Sequence, residues 1–167
     1  MKVKLADIEV AYSVQGEGTP VVLIHGLAEG KESWSGIQER LSEFKTFSYD
    51  LRGHGESTLG KGEGTLEQLG GDLIAFLEKV SGPAQCVGYS LGGTIVIWAA
   101  AKRPNLFSAA VVTGTSTVVG QQAVEFFEER IKIIEEDFSD FAPALLKDTA
   151  LQIVNSGVDL EAVVANR

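Results

Sequence analysis

Five residues, Gly88-Tyr89-Ser90-Leu91-Gly92, have the types and spacing that expose a serine hydroxyl for nucleophilic attack on an acyl carbon. A serine can occupy a sharp turn between a strand and a helix only where small residues flank it, and Gly88 and Gly92 meet that requirement. The pentapeptide follows an apolar stretch and opens an alanine-rich one, which agrees with such a turn. The pattern predicts Ser90 as the nucleophile.

Acyl transfer to a serine also needs hydrogen-bond donors for the negatively charged oxygen that forms on the substrate. The N–H of Leu91 is expected at the N-terminus of the following helix, where the helix dipole adds partial positive charge. The segment His25-Gly26-Leu27 follows another apolar run, and its loop leaves the N–H of Leu27 free at the same edge of the sheet. The sequence therefore predicts an oxyanion hole built from Leu27 and Leu91.

The elements that must position these groups alternate between strands and helices. Apolar or alternating runs predict two short antiparallel strands within residues 3–14 and further strands at 21–24, 46–50, 85–89 and 109–112. Helical spacing predicts helices over 34–44, 65–80, 91–102 and 121–138, with Thr65 as an N-cap. This order indicates an α/β fold, with buried strands in a mostly parallel sheet and helices on both faces.

Three blocks in this order resemble the α/β-hydrolase superfamily, most closely its small esterases, enol-lactonases and haloperoxidase-like members. The blocks are Val21-Val22-Leu23-Ile24-His25-Gly26 followed by Trp34, then Asp50-Leu51-Arg52-Gly53-His54-Gly55-Glu56-Ser57, and Gly88-Tyr89-Ser90-Leu91-Gly92-Gly93. The resemblance implies that Ser90 is the nucleophile and that Leu27 and Leu91 donate to the oxyanion. It also implies that His25, Gly26, Asp50 and Arg52 order the loops beside the site. Serine at the turn argues against epoxide hydrolases and haloalkane dehalogenases, which have aspartate there.

The resemblance divides the chain into an incomplete core, residues 1–118, and a partial helical cap, residues 119–167. It implies a small, apolar carboxylic ester or lactone as substrate, and neither a metal nor a cofactor. An apolar near wall of the cleft is predicted from Leu27, Trp34, Tyr89 and Leu91. The cap carries apolar residues at helical spacing, namely Val124, Phe127, Ile131, Ile134 and Phe138. This stripe predicts packing on the protein's own core, a lid over the cleft, or a coiled-coil contact.

The groups that would activate Ser90 do not follow it in the sequence. A serine hydroxyl needs a base to take its proton, and in this fold the histidine and the acid both come after the serine. The histidines are His25 and His54, and both precede Ser90. We expect His25 to order its loop rather than to act as the base, and His54 to be solvated between two glycines. The acidic residues after Ser90 are interpreted as a solvated helical face.

We therefore expect that the chain ends inside the cap of a longer fold, with the catalytic histidine and acid outside it. Such an end leaves the strand at 109–112 on an unpaired, apolar sheet edge. This edge and the helical tail are expected to self-associate, or to bind the rest of the fold supplied separately.

Two other functions fit parts of the sequence. A catalytically inactive fragment, or a module that binds an acyl ligand without turnover, would use the same cleft. The segment Gly55-Glu56-Ser57-Thr58-Leu59-Gly60-Lys61-Gly62 matches most of a phosphate-binding loop, but Gly62 stands where a hydroxyl ligand of Mg²⁺ is needed. No helix is predicted to begin directly after this segment, which disfavours nucleotide binding.

Composition and charge argue against several classes of protein. Acidic residues outnumber basic ones by 23 to 14, and the resulting net charge of −9 disfavours nucleic acids and anionic membranes as partners. The longest apolar run, Ile95 to Ala101, is too short to span a bilayer, and the N-terminus lacks the apolar start of a signal peptide. We expect a soluble, cytoplasmic protein. The single cysteine, Cys86, excludes an intrachain disulfide and is expected to be a buried thiol.

Overall fold

A computed structural model describes residues 1–137 together with residues 144, 157 and 159. Two compact units divide the chain, Met1–Ser116 and Thr117–Arg167. The first unit contains the strands β1 (Lys2–Leu5), β2 (Ile8–Gln15), β3 (Thr19–Ile24), β4 (Phe44–Tyr49), β5 (Ala84–Tyr89) and β6 (Phe107–Thr113).

These strands form one sheet in the spatial order β1-β2-β4-β3-β5-β6. The pairs β1 with β2 and β2 with β4 are antiparallel, whereas β4, β3, β5 and β6 run parallel. The predicted α/β fold with a mostly parallel sheet and an antiparallel start is confirmed.

Helices connect the parallel strands. A 3-10 turn at Lys31–Trp34 leads into α1 (Ser35–Arg40), α2 (Leu66–Phe76) continues into a π-helical turn at Leu77–Ser81, and α3 (Leu91–Lys102) follows β5. The predicted cap of α2 is present: Thr65 Oγ1 accepts from the Gln68 N–H (3.3 Å), and Gln68 Oε1 accepts from the Thr65 N–H (3.1 Å). This reciprocal pair satisfies two N–H groups at the start of α2.

Helices cover both faces of the sheet. The side chains of each strand alternate between the two faces, so each strand contributes to both helix–sheet contacts. On one face Tyr49 of β4 stacks on Phe76 of α2, with ring centroids 4.7 Å apart. On the other face Thr46 Oγ1 accepts from the side-chain amide of Gln38 in α1 (3.2 Å). The residues at the centre of the sheet are therefore buried.

The helix predicted over 34–44 is wrong in extent. It ends at Arg40, and Phe44 already belongs to β4. The apolar spacing misled because Ile37 is 41% exposed, whereas the polar Gln38 is buried. The Gln38 amide is satisfied by hydrogen bonds to β2 and β4, so a polar residue occupies the side of the helix that faces the sheet.

The second unit contains α4 (Gln121–Glu136), which carries the predicted apolar stripe from Val124 to Ile134. Its apolar side chains are at least 41% exposed at Val124, Phe127, Ile131 and Ile134. Phe138, the last member of the predicted stripe, lies outside the described residues. Among the helices that the structure describes, none combines the length and the apolarity needed to cross a membrane.

The strand predicted at 109–112 is present as part of β6. The prediction that it is buried is wrong, whereas the expected unpaired, apolar edge is present among the described residues. β6 pairs with β5 alone, and within residues 1–137 no strand pairs with its other edge. Val111 and Val112 are 58% and 39% exposed. An apolar run indicates a buried strand only where neighbours cover it, and this run forms the border of the sheet.

We predict that the chain self-associates through β6, because an exposed apolar edge offers unpaired N–H and C=O groups to a second chain. Val111→Lys should weaken the association about tenfold or more by placing a charge on the edge. The matched control is Leu59→Lys, since Leu59 has the same 58% exposure in a loop. Light scattering across a concentration series measures the effect. A chain that stays monomeric at every concentration would show that the edge does not pair.

Candidate active site

The turn between β5 and α3 holds Ser90 in a backbone conformation that is rare for residues other than glycine. Ser90 has φ 51° and ψ −119°, which costs roughly 1–3 kcal/mol and persists only where the surrounding structure enforces it. The Ser90 N–H donates to Thr113 O of β6 (3.0 Å), and the Ser90 carbonyl accepts from the Gly93 N–H (3.0 Å). These bonds tie the turn to both the sheet and the helix.

The two glycines that flank Ser90 allow backbone segments to approach each other closely. A Cβ on Gly88 would overlap the carbonyl group of Gly92. A Cβ on Gly92 would overlap Ile24 O and lie 2.6 Å from His25 O. The start of α3 therefore rests directly on the end of β3, which accounts for the small residues at these positions.

The loop after β3 lies against the same turn. Ile24 of β3 is in register with Gly88 of β5, so the two parallel strands end at one edge of the sheet. A Cβ on Gly26 would lie 3.3 Å from Ser90 Cβ and 3.2 Å from the ring of Tyr89, so the loop and the turn are in contact. Ser90, Gly26 and Tyr89 are thus brought together.

Two backbone donors adjoin Ser90 without an acceptor. In the part of the chain that the structure describes, neither the Leu27 N–H nor the Leu91 N–H makes a hydrogen bond. Leu91 is the first residue of α3, whose initial N–H groups have no carbonyl within the helix. Leu27 lies in the loop after β3 and is 54% exposed.

His25 is completely buried, and both of its ring nitrogens are engaged. The Leu51 N–H donates to Nε2 (3.0 Å), which requires that Nδ1 carries the proton and donates to Gly26 O (2.7 Å). Burial lowers the pKa of His25 to about 4, against the opposing effect of the Gly26 carbonyl. This imidazole is neutral and has no nitrogen free to accept the Ser90 proton.

His54 is partly buried and hydrogen-bonded, so the prediction that it is solvated is wrong. Its Nε2 accepts from the Ala28 N–H (3.3 Å), and its Nδ1 donates to Arg52 O (3.0 Å). The ring centroid lies 5.3 Å from that of His25. The structure places His54 between the loops after β3 and β4, whereas the flanking glycines had suggested an exposed turn.

Ser90 Oγ makes no hydrogen bond to the described residues. No histidine follows Ser90 in the sequence, and the two that precede it use both ring nitrogens elsewhere. The candidate nucleophile and oxyanion donors are therefore assembled without an adjacent base.

Asp50 is a fully buried carboxylate that fixes the loop after β4. Its Oδ1 accepts from the Lys31 N–H (2.7 Å), and its Oδ2 accepts from Lys31 Nζ (3.0 Å) and the Glu56 N–H (3.0 Å). Burial acts to raise the pKa of Asp50, but these three donors together hold it below its usual value. Asp50 is charged in the native state and joins the two loops beside Ser90.

Sequence reasoning missed Lys31, the cation that pairs with Asp50. Lys31 is 9% exposed, and its ammonium also contacts Glu32 (2.8 Å) and Glu56 (2.9 Å). Burial would lower the pKa of Lys31, but its three carboxylate partners raise it above its ordinary value. No local pattern marks Lys31, because its partners converge on it only in the folded chain.

Arg52 is held between two carboxylates. Its Nε and Nη2 donate to Asp72 of α2 (2.9 Å each), while Nη1 and Nη2 donate to Asp7 in the turn between β1 and β2 (3.1 and 3.0 Å). Asp7 and Asp72 were not predicted. Asp72 lies on the buried face of α2, and a charged residue in that position signals a partner elsewhere in the fold.

The structure also shows the surroundings of Trp34, Cys86 and the phosphate-loop-like segment. Trp34 ends the 3-10 turn after the β3 loop and is partly buried, and its Nε1 finds no partner among the described residues. Cys86 is buried, which raises the pKa of its thiol to about 12 and leaves it unreactive. In the phosphate-loop-like segment the Lys61 N–H donates to Asp7 (2.8 Å), so this N–H is already engaged within the protein.

We predict that Gly92→Ala lowers the free energy of unfolding by roughly 2–4 kcal/mol, because its Cβ would overlap the backbone at the end of β3. The matched control is Gly71→Ala in α2, where a Cβ meets no atom within 4 Å. That change should stabilise the chain by up to about 1 kcal/mol through helix propensity. Urea denaturation of both variants measures the difference, and equal stabilities would contradict the close approach of α3 to β3.

We predict that His25 makes stability fall as the pH is lowered. An unfolded histidine takes up a proton below about pH 6.5, whereas native His25 stays neutral down to about pH 4. Unfolding is thus favoured progressively between these values, by about 3 kcal/mol in total. His25→Gln should remove this part of the loss when unfolding free energies at pH 7.5 and 4.5 are compared. The same pH dependence in both proteins would mean that His25 titrates normally.

Comparisons with known proteins agree with this architecture. A family model described as the alpha/beta hydrolase fold matches residues 19–155. The chain is 28% identical to 3-oxoadipate enol-lactonase 2 of Acinetobacter baylyi over 78% of its length, and 34% identical to pimeloyl-(acyl-carrier protein) methyl ester esterase of Methylococcus capsulatus over 82%. It spans 49% and 54% of those relatives, about half their length.

A solved hydrolase from Pseudomonas aeruginosa PA01 has a similar structure. It superimposes with a TM-score of 0.83 and 26% identity over 99% of this chain and 65% of its own. The family match covers most of the sequence, including β3, β5 and the Ser90 turn. The chain therefore belongs to the α/β-hydrolase family.

Proposed function

We propose that this chain supplies the nucleophile and the oxyanion hole of a serine hydrolase that acts on a small, apolar carboxylic ester or lactone. The observation that carries the proposal is the strained Ser90 turn in contact with the loop that bears the unpaired Leu27 N–H. Strain at a single residue with positive φ is typical of functional positions.

In the proposed reaction Ser90 Oγ attacks the carbonyl carbon and the carbonyl oxygen becomes an oxyanion. The Leu27 and Leu91 N–H groups donate to that oxyanion, and each such donor is worth about 10²–10³ in rate. A base takes the serine proton and delivers it to the departing alkoxide, or to the ring oxygen of a lactone, leaving an acyl-serine. Water then attacks the acyl-serine, and the carboxylic acid is released.

The proton transfers need a histidine and an orienting acid, which we propose lie outside this sequence. His25 is unsuited to the task because both of its nitrogens are already bonded. Its proposed role, with Gly26, Asp50 and Arg52, is to hold the two loops beside Ser90 in place. The chain spans about half the length of its enol-lactonase and esterase relatives, which leaves room for these groups elsewhere in a complete hydrolase.

The substrate class is proposed from the near wall and from the relatives. The near wall is proposed to consist of Leu27, Trp34, Tyr89 and Leu91, which are apolar or aromatic. Of these, the Tyr89 ring lies beside Gly26 in the loop that contacts Ser90. An apolar wall favours acyl and alkyl groups over sugars or phosphates. The names of the two relatives, an enol-lactonase and a methyl ester esterase, fall in the same class.

A non-catalytic function, as an inactive fragment or as a module that binds an acyl ligand, is the second candidate. It is favoured by the absence of any base bonded to Ser90 Oγ among the described residues. In that case the cleft would bind acyl compounds without forming an acyl-serine.

An alkyl fluorophosphonate distinguishes the two candidates. We expect slow, single-site labelling of the chain at Ser90, which is lost in Ser90→Ala. The oxyanion donors assist displacement of fluoride by the serine oxygen, and the reaction is slow because solvent, rather than an adjacent base, takes the serine proton. Mass spectrometry of the intact protein measures the adduct. Ser116→Ala is the control for a nonspecific serine. No labelling after prolonged exposure would favour the binding module. Labelling that persists in Ser90→Ala would show that a different residue reacts and would contradict the assignment of Ser90 as the nucleophile.

A further inference from the structure

The direction of the Leu27 N–H is set by its own peptide group. That group consists of the Gly26 carbonyl and the Leu27 N–H, and because the peptide is trans the two point in opposite directions. The Gly26 oxygen accepts from His25 Nδ1 in the buried interior (2.7 Å). The Leu27 N–H consequently points away from the His25 ring.

The next peptide group in the loop is held by the other histidine. It consists of the Leu27 carbonyl and the Ala28 N–H, and the Ala28 N–H donates to His54 Nε2 (3.3 Å). Ala28 has φ 59°, a left-handed conformation that residues with a Cβ seldom adopt without external restraint. The bond to His54 is the restraint that the structure provides at this nitrogen.

We propose that His54 is a positioning residue for the oxyanion hole, because it holds the Ala28 N–H and thereby restrains the loop that carries the Leu27 N–H. The inference rests on the proposed function in one respect, namely that the Leu27 N–H serves an oxyanion. The two histidines then act on consecutive peptide groups. His25 donates to the Gly26 carbonyl, and His54 accepts from the Ala28 N–H.

The His54 ring is itself oriented for this task. Its Nδ1 proton is directed to Arg52 O (3.0 Å), which leaves the Nε2 lone pair for Ala28. Arg52 in turn is anchored by its ion pairs to Asp7 and Asp72. The path from the rigid core to the loop therefore runs through the Arg52 backbone and the His54 ring.

Two variants separate the hydrogen bond from the bulk of the ring. His54→Leu removes the acceptor, whereas His54→Gln can place an amide oxygen near the position of Nε2. Amide hydrogen exchange measured by NMR on the intact chain should show the Ala28 N–H exchanging about 3 to 10 times faster in His54→Leu and returning toward the original rate in His54→Gln. Core amides such as that of Val22 report whether either variant is globally destabilised.

The second readout is the rate of Ser90 phosphonylation, resolved into the binding constant and the maximal rate of inactivation. A lost oxyanion geometry should lower the maximal rate by about tenfold in His54→Leu while leaving the binding constant unchanged, and His54→Gln should recover most of the loss. A purely structural role would instead reduce the labelling-competent fraction of both variants alike.

The outcomes are distinct. Unchanged Ala28 exchange in His54→Leu would overturn the proposed contact, and faster exchange with an unchanged maximal rate would overturn the positioning role. If the parent chain is not labelled at all, the proposed serine-hydrolase function fails and the oxyanion role of His54 fails with it. Faster Ala28 exchange in that protein would still establish the contact as a feature of the loop.

Discussion

Helix α3 begins against the end of β3, and this contact determines the geometry of the whole site. Gly92 lies on the Ile24 and His25 carbonyls with no room for a Cβ, and Ser90 must take a positive φ for the chain to turn from β5 into α3 there. The strain is compensated by the packing of α3 on the sheet and by the bond from Ser90 to Thr113 of β6. Strand β6 therefore supports the turn although it is the exposed edge of the sheet.

The site also depends on the loops after β3 and β4, which hold each other in place through buried hydrogen bonds and a buried ion pair. His25 bonds to Leu51 across the two loops, and Lys31 pairs with the buried Asp50. A buried charge is tolerated only when it is paired and hydrogen-bonded, and Asp50 has three donors. These bonds preorganise the loop that carries the Leu27 N–H, so little reorganisation would be needed when an oxyanion forms.

The sequence predicted the elements that depend on local pattern and missed those that depend on tertiary pairing. Buried parallel strands such as β3 are continuous apolar runs, and the glycines around Ser90 are a consequence of close backbone contact, so both were visible. The helix over 34–44 was misjudged because Gln38 is buried through hydrogen bonds that its own segment does not reveal.

The polar network beside the site could not be predicted from the sequence for the same reason. The partners Lys31, Asp7 and Asp72 are distant in sequence from the residues they bind, and a buried ion pair has no periodic signature. His54 was interpreted as solvated because its glycine neighbours indicate a turn, although that turn folds back onto Ala28.

A crystal structure of the chain phosphonylated at Ser90 would show whether the two backbone amides bind the oxygen of an adduct at this serine. We predict that the phosphoryl oxygen lies within about 2.7–3.1 Å of both the Leu27 and the Leu91 nitrogen. An oxygen that is directed into solvent, or bonded to neither of these amides, would contradict the assignment of this turn and loop to acyl chemistry.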